Sequence, residues 1–409
     1  MVPEHVHIGS LYKTGFPLNL FYRMSLPPSF NDAETYFDEA TKFLRDHQYL
    51  YNFANTDILV QDVLDRINVA NLEDSDIYEE DFDLRSKTTV NQFLKEIFVL
   101  IDKLKPCYEY DMEKEYGDIA NVPISPKKKH EIIRLSGEVI DMCGECGCDV
   151  VVDFGSGLVS IQLNNCYSRG LHFYFRILPF GGCDQLIHER SKLNVIGLEC
   201  NEKHHIGAQN RQSKYHKDTL NNVKYIKHFI DKDSYGHIEE IISENFPLSE
   251  GYCFTGLHAC ADLSVDAVDI FLKTPKAKAL VSMPCCYHKM KATESGFKNF
   301  PSSTCFRLGH GGRMAVASLL KRKKQKAVRL KTLNNDFNSY LDEALKGYRI
   351  FKTDINEFRN ICYLQPVMEN VILYDRLVFL KENKVEKCIF KKICYEKLSP
   401  RCSALLVSK

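Results

Sequence analysis

No apolar run in the 409 residues is long enough to cross a bilayer, which takes about 20 consecutive apolar residues. The most suggestive stretch, 171–180, is short and interrupted by Arg176 and Pro179. An excess of one charge is also missing, because 54 Lys and Arg balance 54 Asp and Glu. A balanced chain gives no global electrostatic sign of a nucleic-acid or membrane-surface binder. The opening MVPEHVHIGSLYKTG lacks the uncharged apolar centre and small-residue cleavage site of a secretory signal. A cytoplasmic or nuclear location is the expectation, with no membrane partner. Tryptophan, internal repeats and low-complexity segments are absent too, and none of these absences bears on function. Cysteine, in contrast, is plentiful, with 16 residues at irregular spacing. In a reducing compartment these read as thiols rather than a disulfide framework.

Apolar residues make up 44% of the chain and charged residues 26%, which is ordinary for a globular protein, and the length predicts more than one typical core. Residues 1–120 read as a helical N-terminal region. Asn31 and Glu34 have capping-box spacing, and Tyr36, Phe37, Ala40, Phe43 and Leu44 form an apolar stripe at helical period. The acidic run 73–83 breaks that period and reads as a loop, and a second helix is expected over 90–104, before Pro106. From there on, over 121–409, helices alternate with short apolar strands, the pattern of a mostly parallel sheet. Strands are predicted at 150–153, 194–199, 224–230, 252–257, 279–283, 385–395 and 404–407, with a helix at 367–380. The stretches 166–192 and 290–365 are expected as insertions.

The strongest local signal is CDVVVDFGSGLVSIQL, where a buried strand ends in Asp153 and is followed by Gly155, Ser156 and Gly157. Glycine is needed there because the chain turns sharply and passes close to a ligand, and a following helix would offer its first N–H groups. An acidic residue closing the next strand would bind ribose hydroxyls, a role that fits Glu199. Its distance of 46 residues from Asp153 exceeds the usual spacing of about 20. Asp231, after the third strand, is a further candidate for the adenine edge. GLHACADLS places His258, Cys260 and Asp262 at the carboxyl end of the fourth strand, and MPCCYHKM places Cys285, Cys286, Tyr287 and His288 at the end of the fifth. Ligands bind at that edge in open α/β sheets. The pair of turns has three readings: an acceptor pocket with His258, Asp262 or His288 as proton acceptor, a zinc site, or packed thiols. Two stretches are basic, SPKKKHE from Ser125, which opens the catalytic region, and LLKRKKQKAVRLK from Leu319; the second has a phosphate-binding reading and a solvated-helix reading. The Cys143, Cys146, Cys148 run has no partner pair nearby and reads as thiols.

The motifs SPKKKHEI, VVDFGSGL, GLHACADLS, VSMPCCYHKM, VILYDRLVFL and LSPR together resemble the methyltransferase-like protein 25 family, which includes ribosomal RNA adenine dimethylase domain-containing relatives. The resemblance covers 121–409 and implies an α/β, class I methyltransferase-like doubly wound sheet. It also implies S-adenosyl-L-methionine as cofactor, with no defined acceptor. Asp153, Gly155, Ser156, Gly157, Glu199 and Asp231 would hold the cofactor, and His258, Asp262, Cys285 and His288 would face the acceptor, with no resident metal. The paired turns are also similar to those of a transfer-RNA ribose methyltransferase family, which points to an RNA hydroxyl. Ala261 stands where the family's turn has glycine. An Asn-Pro-Pro-Tyr type turn, which grips a flipped adenine, is replaced by LHACAD, so the residues do not support base dimethylation. The competing expectation is a non-catalytic adaptor that keeps the fold.

Overall fold

The structure, a computed structural model, describes residues 26–47, 92–104, 116–119, 124–156, 182–285, 292–293, 296–297, 365–394, 398–399 and 402–409. Seven strands form one sheet: β1 (Val150–Phe154), β2 (Asn194–Glu199), β3 (Val223–Lys227), β4 (Tyr252–Cys260), β5 (Ala277–Cys285), β6 (Lys387–Lys392) and β7 (Ser403–Ser408). Their order is β3-β2-β1-β4-β5-β7-β6. The first five run parallel, and β7 is inserted antiparallel between β5 and β6. This is the α/β class I methyltransferase fold, as the resemblance implies, on the mostly parallel sheet that the alternating pattern predicts.

The sheet is buried on both faces, which is why strands such as β1 read as unbroken apolar runs. Val150, Val152 and Phe154 point into one core while Val151 points into the other. The first core is closed by α6 (Tyr235–Asn245), α7 (Leu263–Lys273) and α8 (Gln365–Glu382). The second is closed by α3 (Pro126–Cys146), α4 (Cys183–Ser191) and α5 (Glu202–Tyr215). Cys143, Cys148 and Cys253 are buried in that second core; the bond with Cys148 lowers Cys143, but Cys253 and burial outweigh it, and the bond with Cys143 and burial raise Cys148, so both thiols lie far above their ordinary range.

Two helices from the N-terminal region, α1 (Ala33–Asp46) and α2 (Gln92–Leu104), join the first core. Asp32, one residue after the predicted cap, accepts the Thr35 N–H at 2.7 Å and starts α1. The buried face of α1 lies on α8: the Tyr36 and Tyr374 rings meet edge to face at 5.6 Å, and Asn370 donates to the Tyr36 hydroxyl at 2.8 Å. Burying Tyr36 and Phe37 contributes about 1.5–3 kcal/mol each. The acidic run 73–83 and the basic stretch 319–331 lie outside the described residues.

Three departures from the expected elements position the site. The last nine residues before Lys192, within the stretch expected as an insertion, form α4, a helix between β1 and β2 that packs on α3 and β2. Both β4 and β5 run longer than predicted and carry His258, Cys260 and Cys285 as strand residues rather than turn residues. Finally, α3 begins within SPKKKHE: the Ser125 hydroxyl accepts the Lys128 N–H at 3.3 Å, and Pro126 occupies the first turn. Among the described residues no helix is long and apolar enough to cross a membrane.

Candidate functional site

The strand order reverses between β1 and β4, and in such sheets the crevice for a ligand opens at the carboxyl ends beside that point. The β1–β2 side is built first by a turn. Gly155 adopts φ +81°, a left-handed conformation that side-chain-bearing residues avoid. The N–H groups of Gly155 and Ser156 both donate to Leu198 O, at 2.9 and 3.1 Å, which pins the turn against β2. A Cβ on Gly197 would collide with the Ser156 side chain and lie 2.9 Å from Asp184 Oδ2, so β2 can pass only as glycine.

Asp153, at the end of β1, is buried against Asp184 from α4, and the two carboxyls share a hydrogen bond. Burial pushes Asp153 up to about 6, and burial together with the Asp153 charge pushes Asp184 well above the carboxylate range. At neutral pH the pair therefore keeps a proton, held by Asp184 and donated to Asp153. Tyr225 lies beside Asp184 and receives a bond from Gln185 at 3.4 Å. The charge of Lys128, from the first turn of α3, reaches Asp153 and Cys183, and burial lowers its own pKa. Among the described residues Asp153 Oδ1, Ser156 Oγ, Asp184 Oδ1 and Gln185 Oε1 are buried without a hydrogen-bond partner, a costly arrangement unless something supplies donors. Glu199 closes β2. Its Oε1 accepts the Asn201 N–H at 2.7 Å, and its Oε2 stands 3.8 Å from His204 Nδ1.

On the β4–β5 side, the ladder slips between Leu257 and Ala259, and His258 takes φ +63° at that irregularity. Its Nε2 bonds Glu131 Oε2 of α3 at 3.0 Å. The Glu131 side chain is only 1% exposed and also accepts from Ser399 at 2.7 Å, with Lys127 Nζ 3.8 Å away. Burial pushes this carboxyl up, but the His258 and Ser399 bonds and the Lys127 charge outweigh it and hold it below its ordinary value. Cys260 and Cys285 face each other across β4 and β5 with sulfurs 3.2 Å apart. Ala261 follows at φ +55°, the position where the resemblance expects glycine. Asp262 caps α7 through its backbone carbonyl, which accepts from Val265 and Asp266.

The structure thus gathers Asp153, Gly155, Ser156 and Glu199 at one end of the crevice, and His258, Cys285 and Asp262 at the other. Asp231 is exposed and tied into a local turn, where its Oδ1 accepts from Asp233 N at 3.0 Å and from the Ser234 hydroxyl at 3.1 Å. Gly157, Cys286, Tyr287 and His288 lie outside the described residues. Among the described residues no group of three or more His, Cys, Asp or Glu side chains is placed to hold a metal ion. Sequence reasoning missed Glu131, Ser399, Lys128 and Asp184. The first three stand inside the quoted motifs SPKKKHEI and LSPR, whereas Asp184 had no local signal.

No solved structure matches the chain. Residues 177–293, which run from before α4 to just past β5 and include Glu199, His258 and Cys285, match the family model described as a methyltransferase domain.

Proposed function

We propose that the chain is an S-adenosyl-L-methionine-dependent methyltransferase, related to the methyltransferase-like protein 25 family. The observation that carries this reading is the set of buried acceptors at the end of β1, Asp153 Oδ1 and Ser156 Oγ, one strand from the Glu199 carboxylate. Their chemistry suits a ligand rich in donors and positive charge, and S-adenosyl-L-methionine presents an ammonium group, a sulfonium and two ribose hydroxyls. Asp153, Gly155 and Ser156 would hold its amino-acid end, and Glu199 would take the ribose, the role acidic residues fill at the end of the second strand in such sheets. The bound cofactor supplies a methyl group on an already activated leaving group, so orientation by the protein provides most of the rate.

His258, Asp262 and Cys285 would line the acceptor side. RNA is the acceptor favoured by the basic first turn of α3, where exposed Lys127 lies beside the Glu131–His258 pair. Calorimetric titration of the purified chain with S-adenosylhomocysteine tests the reading. Micromolar or tighter binding, weakened at least tenfold by Glu199→Ala, is expected. No binding by a folded sample overturns it in favour of an adaptor that keeps the fold.

A further inference from the structure

The contact between His258 and Glu131 joins residues 127 positions apart, and it sits at the ligand-binding edge rather than in a core. A carboxylate can only accept, so the 3.0 Å contact requires His258 Nε2 to carry the hydrogen. Ser399 donates to the other oxygen of the same carboxylate at 2.7 Å, which leaves Glu131 as acceptor on both sides. The tautomer of the neutral ring follows: with the hydrogen on Nε2, the lone pair falls on Nδ1. Among the described residues Nδ1 takes no hydrogen bond, and the imidazole is one-quarter exposed. The backbone is bent to achieve this. His258 sits in the left-handed region at a ladder slip, a conformation that persists only when its surroundings over-determine it and that gathers at functional sites. A clamp between α3 and β4 needs neither that conformation nor an exposed ring.

We propose that Glu131 is a positioning residue that locks His258 in the Nε2–H tautomer and presents Nδ1 as proton acceptor to a methyl acceptor that still carries its proton, a hydroxyl. This rests on the methyltransferase reading above. The acceptor oxygen forms the new C–O bond, and its proton passes to His258 Nδ1. The electron pair of the broken S–C bond stays with the departing thioether sulfur, so charge and atoms balance. Carboxylates arrive already deprotonated and have no use for such a base.

The test uses the full chain labelled with [15N]histidine, with His258 assigned by comparison with His258→Gln. Long-range proton–nitrogen correlation should show a single Nε2–H tautomer in the wild type and a mixed or reversed tautomer in Glu131→Gln. A wild-type Nδ1–H tautomer overturns the proposal without any need for a variant to fold. Affinity for S-adenosylhomocysteine should be the same in wild type and Glu131→Gln. If neither folded protein binds it, the methyltransferase reading fails while the tautomer result stands by itself. With tritiated S-adenosyl-L-methionine and a cell extract, the wild type should transfer label that resists mild alkali, and Glu131→Gln about a hundredfold less. Label released by alkali as methanol marks a carboxylate acceptor and overturns the proposal, as does wild-type transfer no greater than that of Glu131→Gln.

Discussion

The two ends of the crevice are built by different means. On the β1–β2 side, the turn is made by elements that follow one another along the chain, β1, α4 and β2: Gly155 and Ser156 bond Leu198, and Asp184 meets Asp153 from the helix that precedes β2. On the β4–β5 side, His258 is held by Glu131 and Ser399, whose own contact spans 268 residues. The charges also behave oppositely. Asp153 and Asp184 have folded pKa values above their ordinary 3.8, so the stability they contribute is complete below that pH and is lost as pH rises through about 6 and beyond. Glu131 has a folded value below its ordinary 4.5, so its contribution is present above that pH and is lost as pH falls. The first side carries a proton to be displaced, whereas the second carries a fixed negative charge that orients a ring.

The comparison can be broken most directly at Glu131. Replacing it with alanine strips His258 Nε2 and the Ser399 hydroxyl of their shared acceptor, and should cost about 3 kcal/mol in urea unfolding. A loss below about 1 kcal/mol would mean that the β4–β5 side is not held by this contact. Glu199→Ala should do the reverse. We expect stability within about 1 kcal/mol of wild type and a 10- to 100-fold weaker affinity for S-adenosylhomocysteine, about 1.5–3 kcal/mol, by calorimetry. Asp184→Asn sharpens the pH contrast. Removing one retained proton should flatten the decline of stability between pH 5 and 8 by up to about 1.4 kcal/mol per pH unit. An unchanged slope would show that Asp184 ionises normally. The smallest effect is expected from Ala261→Gly, which relieves a left-handed alanine and should raise stability by about 0.5–1 kcal/mol, read as a higher Tm.

All seven strands and the α8 helix were legible from apolar runs and helical period, because a sheet buried on both faces leaves no doubt about which segments are inside. The turn at Gly155 was legible too, since its chemistry is local. What escaped was whatever depended on distant contacts or on buried polar residues. In α4, Asp184, Gln185 and His188 are all buried, so the helix lacks the apolar stripe that betrays a helical period. The ends of β4 and β5 read as turns because Ala259 and Pro284 are poor strand formers; pairing between the two strands extends them regardless. Glu131 and Ser399 stood in motifs whose partners lie 127 and 268 residues away, and no window of sequence could join them.

The seat of α1 on α8 sets a schedule for folding. The Tyr36 hydroxyl waits for Asn370, 334 residues later, and at ribosomal rates of about 5–20 residues per second that interval is roughly 20 to 70 s. Until then the part of that face which seats on α8, with Tyr36 and Phe37, lacks its final cover and is open to chaperones or to other nascent chains. High contact order of this kind favours slow folding. Yield during synthesis should therefore depend more steeply on temperature and chaperone supply than the stability of the finished protein does.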